Sequence, residues 1–349
     1  MTESNRTIVG TLVNLQIQED QSDTCHNDEN VSWSSLGQIR LLPDEIQENH
    51  HLPCSDDTTN GSAVVPKQQG QQKQQQHKER KQLPIRIKNM LIPSMDHDSR
   101  TDGSRSRVRK QSYLFRHAPS GQQNTNLLIL LHGAGDTHIP FDKFAQAIKL
   151  PQTATLALSA MGPIGGECLP FQLGYTWYQE MEYTTGTRLV DSQIQINRMH
   201  AAEKVCNVLH ALIVQEGWIY PEQVFFFGYG TGAALVMQVC CMWSTFQGIQ
   251  IPLGGAVCVG GGIEVSALTM SHPQHAKTPV LLMVGGKDES FPPTQAMSLQ
   301  RQSKTSNIDI DIYIEPDKGQ SMVQSKAEIQ KIMEFFSQRL VRISSFGIH

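Results

Sequence analysis

Hydrophobic positions follow a regular pattern in roughly the last two thirds of the chain and no regular pattern before it. From residue 112 onward, short apolar runs alternate with stretches in which apolar residues recur at helical spacing. The apolar runs predict strands at 112–116, 127–131, 154–160, 223–227, 255–259, 280–284 and 309–314, and the periodic stretches predict helices at 141–148, 191–216, 233–242, 294–304 and 327–340. Apolar strands that alternate with helices are typical of an α/β fold, with a mostly parallel sheet and helices on both faces.

The first 105 residues lack this alternation. Residues 66–82 are rich in glutamine and lysine, a composition that cannot bury enough apolar surface to offset chain entropy. We therefore expect residues 1–105 to be a disordered tail and residues 106–349 to form one α/β domain. Within the tail, Ile85 to Lys88 alternates apolar and basic residues, which predicts an edge strand.

Charge is unevenly distributed along the first 120 residues. Residues 1–60 have a net charge of −9 and residues 61–120 a net charge of +9, whereas the whole chain has −4. Such blocks are typical of solvated interaction segments. The sequence therefore favours a solubilising linker in the basic stretch 67–116, and a docking segment for a protein partner or an acidic surface is the alternative. We do not expect a nucleic acid partner.

The chain shows no targeting or membrane signal. Its N-terminus is polar, without the charged start and apolar run of a secretory signal, and no apolar run approaches the length of a membrane span. Seven scattered cysteines without metal-site spacing indicate a reducing compartment. We expect a cytoplasmic protein, or one that is also nuclear, with no metal and no other cofactor.

Residues 224–234 read V-F-F-F-G-Y-G-T-G-A-A, an apolar run followed by alternate glycines and small helix formers. This order predicts the strand, sharp turn and helix of a nucleophile elbow, whose pattern is G-x-S-x-G. Here Gly230 occupies the serine position. Glycine enters the strained conformation at the apex with little cost, so we expect the turn to persist without its nucleophile. The alternative is a phosphate-binding turn, but no Gly-Lys-Ser/Thr follows the glycines.

Three motifs together resemble one known family. Residues 131–137 read L-H-G-A-G-D-T, residues 226–234 read F-F-G-Y-G-T-G-A-A, and residues 286–293 read G-K-D-E-S-F-P-P. In order and approximate spacing they resemble L-H-G-x-G-D-T, G-F-S-Q-G-G-A and G-D-x-D-P-x-V-P of the phospholipase/carboxylesterase family, which includes the acyl-protein thioesterases. The resemblance covers residues 126–340 and implies an α/β-hydrolase fold.

The resemblance implies a catalytic triad of which this chain keeps one member. Asp288 matches the acid, Gly230 stands at the nucleophile position, and Gln320 stands where the histidine is expected, in the turn D-K-G-Q-S. Glutamine cannot accept a proton near neutral pH. We expect Gln320 to hydrogen-bond Asp288 in place of the histidine.

The resemblance also implies binding groups around the elbow. The backbone N–H groups of Ala134 and Thr231 match the oxyanion hole, and His132 matches a residue that supports the loop from behind. Aromatic residues match the wall of the ligand pocket, although lid packing is an alternative interpretation; they are Trp177, Tyr178 and Tyr229.

These features predict a degenerate enzyme. Our first hypothesis is a catalytically inactive binding or regulatory protein that keeps a pocket for a small acyl or ester ligand. The alternative is a weak or unconventional carboxylic ester or thioester hydrolase whose base is not identified. A third hypothesis places the function in the tail, with the domain as its scaffold.

Overall fold

The computed structural model describes residues 15–16, 40–41, 81–92, 112–160, 167–169, 174–268 and 276–343. Most of the predicted tail and of the stretch 67–116 lies outside these residues. Within the first 79 residues, the described part is an antiparallel pair of two-residue strands, Leu15–Gln16 and Arg40–Leu41. The described residues from 81 onward belong to a second unit.

The second unit contains a seven-stranded sheet. Its strands are β1 (Tyr113–Arg116), β2 (Asn126–Leu131), β3 (Thr153–Leu158), β4 (Val224–Tyr229), β5 (Gly255–Val259), β6 (Thr278–Gly285) and β7 (Ile308–Glu315). They lie side by side in the order β7-β6-β5-β4-β2-β3-β1. Only β1 runs antiparallel to its neighbour, β3, and every other pair is parallel. The predicted mostly parallel sheet is confirmed.

Among the described residues, six helices precede, connect or follow these strands. They are α1 (Ile85–Leu91), α2 (His138–Ile148), α3 (Asp191–His210), α4 (Thr231–Trp243), α5 (Pro293–Ser303) and α6 (Lys326–Arg339), and α3 continues into a π-helical turn at Ala211–Gln215. Between β3 and α3 lie two short antiparallel strand pairs, Glu167–Cys168 with Tyr175–Thr176 and Met181–Glu182 with Thr187–Arg188. In the part of the chain that the structure describes, no helix is both long and apolar enough to cross a membrane.

The strand β4 shows how both faces of the sheet are covered. Successive side chains of a strand point to opposite faces. Phe225 packs on Phe336 of α6 with ring centroids 5.9 Å apart, and Phe227 packs on Phe144 of α2 at 4.7 Å. Phe226 points the other way, into the core that contains buried residues of α1, α3, α4 and α5. Helices therefore cover both faces, as predicted.

The segment 81–92 belongs to this domain, upstream of the predicted boundary at 105. The prediction of an edge strand at 85–88 is wrong, because these residues begin α1. Ile87 and Leu91, four residues apart, are buried on one face of the helix, whereas Ile85 is 75% exposed. An alternation of only four residues does not distinguish a strand from one helical turn that presents one apolar face.

Parallel strands place the functional loops together. The carboxyl ends of β2, β4, β5, β6 and β7 lie at one edge of the sheet, which is where α/β proteins bind their ligands. The loops that follow these strands carry all three motifs and the turn that contains Gln320.

Candidate functional site

The turn between β4 and α4 has the geometry of a nucleophile elbow. Gly230 lies at its apex with φ 53° and ψ −119°, a region that residues with a side chain enter only under strain. Its N–H donates to the Val259 carbonyl oxygen over 2.9 Å, and its own carbonyl oxygen accepts from Ala234 N over 3.1 Å. A Cβ at Gly230 would meet no atom closer than Gly133 Cα, at 4.0 Å. The side-chain space at the apex is therefore open.

Two other glycines let the elbow lie close to its neighbours. A Cβ at Gly228 would lie 2.6 Å from the Gly232 carbonyl oxygen, and a Cβ at Gly232 would lie 2.4 Å from the His132 carbonyl oxygen. Both contacts are with backbone, which cannot rotate away as a flexible side chain can. Packing therefore requires glycine at 228 and 232, whereas only backbone strain favours it at 230.

His132 supports the loop after β2. Its buried Nε2 accepts from Ala160 N over 3.0 Å, so the ring proton is on Nδ1, which donates to the Gly133 carbonyl oxygen over 2.7 Å. Burial lowers the pKa of His132 to about 4, which keeps the imidazole neutral near neutral pH. These contacts agree with the predicted structural role.

The two predicted oxyanion donors lie at the same edge of the sheet. Ala134 follows β2 and Thr231 is the first residue of α4, and the parent strands β2 and β4 are adjacent, with Leu131 paired to Gly228. The N–H of the first helical residue has no acceptor within its own helix. The Thr231 Oγ1 atom is buried and has no hydrogen-bond partner among the described residues. That these N–H groups bind a ligand oxygen stays a prediction.

Asp288 is held in place by one of its two oxygens. Oδ1 accepts from Ser290 N over 2.9 Å and from Phe291 N over 3.0 Å. The side chain is only 3% exposed, and Oδ2 has no hydrogen-bond partner within the described part of the chain. The backbone thus fixes this carboxylate, while its second oxygen is buried and unpaired.

Gln320 does not hydrogen-bond Asp288, and our expectation of that bond is wrong. The glutamine is exposed, and its Oε1 accepts from Ser290 Oγ over 2.9 Å. The longer, flexible amide reaches the rim of the Asp288 loop instead of the buried oxygen inside it. Ser290 therefore belongs to this site, and the sequence carries no signal that would have identified it.

A family model described as phospholipase/carboxylesterase matches residues 116–340. The chain belongs to the phospholipase/carboxylesterase family. The resemblance based on the three motifs is confirmed, and so is the α/β-hydrolase fold.

Two relatives and two solved structures illustrate the similarity. An uncharacterized hydrolase of Mycosarcoma maydis is 30% identical over 230 residues, which are 65% of this chain and 80% of that protein. An uncharacterized hydrolase of Schizosaccharomyces pombe is 28% identical over 155 residues, 43% of this chain and 58% of that protein. The crystal structure of esterase PE8 has 20% identity and a TM-score of 0.48, covering 66% of this chain and 99% of the esterase. The crystal structure of Arabidopsis thaliana SOBER1 has 21% identity and a TM-score of 0.47, covering 61% and 98%.

Backbone and ion-pair contacts hold the turn that contains Gln320, the predicted position of the triad histidine. The carbonyl oxygen of Lys318 accepts from Lys287 N over 2.8 Å, which joins the turn to the Asp288 loop. The ammonium group of Lys318 forms a buried ion pair with Glu328 at the start of α6. These contacts do not involve the Gln320 side chain, so the turn does not depend on which residue occupies position 320.

Two of the residues assigned to the pocket wall of the family are buried. Trp177 is 2% exposed, and its Nε1 donates to the His132 carbonyl oxygen over 2.7 Å. The Tyr178 ring lies 5.9 Å from the Arg198 guanidinium carbon, and burial raises the pKa of its hydroxyl. Both side chains bind other parts of the domain, and their contact with a ligand stays a prediction.

Tyr229, the third of these residues, lies between two glycine-containing loops. A Cβ at Gly133 would lie 2.9 Å from Tyr229 Cδ1, and a Cβ at Gly260 would lie 3.5 Å from Tyr229 Cε2. The residue is partly exposed. Burial raises the pKa of Tyr229, and the carboxylates of Asp288 and Asp136 raise it further. Tyr229 therefore lies near the carboxyl groups of Asp288 and Asp136.

Arg198 is a buried cation that the sequence pattern did not single out. It forms an ion pair with Glu264 in the loop after β5, and its Nε lies 3.4 Å from Gln238 Oε1 of α4. It therefore joins α3 to α4 and to a loop at the functional edge. Its position four residues after the buried Ile194, on the apolar stripe of α3, was the signal that could have identified it.

Proposed function

We propose that this member of the phospholipase/carboxylesterase family binds a small acyl or ester ligand without hydrolysing it. The observation that carries the proposal is the geometry of Gly230. The apex of the elbow keeps the φ and ψ of a nucleophile position, and open space where a side chain would project, but it offers no nucleophilic atom.

The absence of a suitable base at the triad position supports the same conclusion. Gln320 has no ionisable group, and its amide contacts Ser290. His132, the histidine of the first motif, uses both ring nitrogens in contacts with backbone groups, and burial lowers its pKa to about 4. A base must reach the proton that it abstracts, and His132 is turned away from that role.

The proposed ligand contact is the pair of backbone donors. The N–H groups of Ala134 and Thr231 would hold the carbonyl oxygen of an acyl or ester group. In a serine protease without its triad, such donors and binding alone leave a rate enhancement of roughly 10³–10⁴ over water. Binding at this site is therefore compatible with slow background hydrolysis, but not with an efficient serine hydrolase.

A fluorophosphonate probe and a 4-nitrophenyl ester test this proposal directly. We expect no covalent labelling of any serine and no burst of nitrophenolate with the wild-type chain. Ser290→Ala is the matched variant, because Ser290 is the hydroxyl that contacts Gln320. Labelling that disappears in Ser290→Ala would contradict the proposal and favour the unconventional hydrolase.

Native mass spectrometry tests the binding half of the proposal. The purified protein should carry a non-covalent acyl or ester ligand, or should gain one when a short-chain ester is added. Failure to retain any such compound, with the domain folded, would count against a ligand-binding role.

A further inference from the structure

We propose that the side chains of Asn126 and Gln152 form a binding site for the backbone of an extended peptide. In this chain, residues 341–343, which follow α6, occupy the site. Because the contacts are with main-chain groups, an extended peptide supplied from outside the chain can take the place of this segment. The inference goes beyond the proposed ligand binding and concerns a different surface of the domain.

The peptide site lies where β2 and β3 begin. Asn126 is the first residue of β2 and pairs in parallel with Thr153, the first residue of β3, which Gln152 directly precedes. The amino ends of parallel strands lie at the edge of the sheet opposite their carboxyl ends, and the loops with the three motifs follow the carboxyl ends. The peptide site is therefore separate from the elbow at Gly230 and from Asp288.

Each of the two amide groups forms a pair of hydrogen bonds with one residue of the segment. Asn126 Nδ2 donates to the Val341 carbonyl oxygen over 2.9 Å, and Asn126 Oδ1 accepts from Val341 N over 3.0 Å. Gln152 Nε2 donates to the Ile343 carbonyl oxygen over 3.0 Å, and Gln152 Oε1 accepts from Ile343 N over 2.9 Å. Both amides are thus within reach of a peptide, since a peptide segment already contacts them through its N–H and C=O groups.

This arrangement reproduces the hydrogen bonding of a neighbouring strand. In an antiparallel ladder, every second residue exchanges both an N–H···O and an O···H–N bond with the residue opposite. Val341 and Ile343 are two residues apart and form such paired bonds, whereas Arg342 between them is exposed and bonds to neither amide within the described part of the chain. Recognition therefore uses the main chain, as in the addition of a peptide strand to a sheet.

Contacts inside the domain orient both amides independently of the segment. Thr125 Oγ1 donates to Gln152 Oε1 over 3.1 Å, and Asn126 Nδ2 lies 3.4 Å from the Gln152 carbonyl oxygen. The backbone of Gln152 has a left-handed conformation with φ 49°, and its N–H donates to Gln122 Oε1. The site should therefore keep its shape when the segment leaves.

The segment has few apolar contacts that would keep it in place. Ile343 is 54% exposed, and Arg342 is exposed as well. A hydrogen bond formed in exchange for bonds with water contributes little net free energy, and a segment held mainly by such bonds opens locally. The attached segment nevertheless competes with a free peptide, because its effective concentration at the site is of millimolar order.

Binding of a synthetic peptide to the full chain tests the inference. The probe is an acetylated, fluorescent peptide with the sequence of residues 341–346, and Val341→Pro combined with Ile343→Pro releases the attached segment, because proline has no N–H to donate. Fluorescence anisotropy should show saturable binding to this double variant, at least about tenfold tighter than to the wild type.

Two matched comparisons test which groups are recognised. In the double variant, Gln152→Glu removes the donor to the carbonyl oxygen and should weaken binding at least about tenfold, whereas Gln123→Glu makes the same charge change at an exposed neighbour and should leave it unchanged. In the peptide, an N-methyl group at the residue equivalent to Ile343 should abolish binding. The same group at the residue equivalent to Arg342 should not.

Hydrogen exchange in the wild-type chain gives a second measurement that does not depend on the proline variant. An excess of unlabelled peptide should speed exchange at the Val341 and Ile343 amides, because it displaces the attached segment. Unchanged exchange at both amides would overturn the inference. So would a folded double variant that does not bind the peptide, an equal loss in Gln123→Glu, or equal effects of the two N-methyl groups.

Discussion

Two parts of the same sheet edge differ in how completely their polar groups are paired. Behind the site, both ring nitrogens of His132 form hydrogen bonds, and its carbonyl oxygen accepts one from Trp177 Nε1. At the reacting positions, Gly230 has no side chain, and Asp288 Oδ2 has no partner in the described structure. The framework behind the site is paired, whereas the predicted triad positions 230 and 288 are incomplete.

This difference indicates that the framework does not depend on the side chains at the predicted nucleophile and histidine positions, 230 and 320. Close backbone packing at Gly228 and Gly232 sets the shape of the elbow, and the contacts of Lys318 set the turn that carries Gln320. A family member can therefore lose its nucleophile and base at little cost to the fold. Replacement of Gly228 or Gly232, in contrast, should destabilise the fold.

The largest expected effect comes from Gly232→Ala. The new Cβ would lie 2.4 Å from one backbone oxygen and 2.5 Å from another, so strand β2 or helix α4 must move. We expect the free energy of unfolding to fall by about 4 kcal/mol or more in urea denaturation. Gly230→Ala is the matched control, because its Cβ meets open space, and backbone strain should cost only about 1–3 kcal/mol.

The comparison would break if these two variants were equally stable. It would also break if Gly230→Ala proved the more damaging change, since that would locate the tight packing at the apex rather than beside it.

A smaller effect should follow from pH and the framework residue His132. Its pKa is about 4 in the folded protein and 6.5 in the reference state, so the unfolded chain takes up the proton first as the pH falls. The contribution of His132 to stability should therefore decrease between pH 6.5 and about 4, by about 3 kcal/mol in total. Urea unfolding at a series of pH values measures this decrease.

His132→Gln provides the control for that series. The variant lacks the titrating ring, so its stability should change less with pH over the same interval, even if it is lower throughout. An identical pH dependence in both proteins would show that His132 is not held neutral by burial.

The smallest expected effect concerns Gln320, at the predicted position of the triad histidine. Gln320→His should stabilise the domain by about 1 kcal/mol, because an imidazole N–H can pair with Asp288 Oδ2. Gln320→Ala should change the stability by less than about 0.5 kcal/mol, because the glutamine is exposed. Thermal unfolding of the two variants beside the wild type separates these outcomes. Destabilisation by Gln320→His would mean that an imidazole at position 320 cannot reach Asp288 Oδ2.

Much of the fold was predictable because its signals are local. Apolar runs identified all seven strands of the sheet, and alternate glycines identified the elbow at Gly230. Helix α1 was not predicted, because the few residues that precede the sheet have an apolar spacing that suits a strand or a helix. Its buried residues Ile87 and Leu91 pack in a core cluster whose other members are distant in sequence, and Trp218 Nε1 holds the preceding segment by donating to the Gln82 carbonyl oxygen over 2.8 Å.

The candidate site was predictable in its residues and not in its contacts. The motifs located Asp288 and Gln320, but the partner of a flexible amide depends on its rotamer, and Gln320 contacts Ser290 instead. An aromatic residue beside a site has the same sequence pattern whether it lines a pocket or supports a loop. Only the structure places Trp177 against His132.

The most direct test of an intact framework without reactive groups is to restore both groups together. Gly230→Ser combined with Gln320→His should hydrolyse a 4-nitrophenyl ester and react with a fluorophosphonate at position 230. The double variant should be at least about 10²-fold faster than Gly230→Ser alone, the contribution expected of a general base. A folded double variant with no more activity than the wild type, or a single variant as active as the double, would contradict the account.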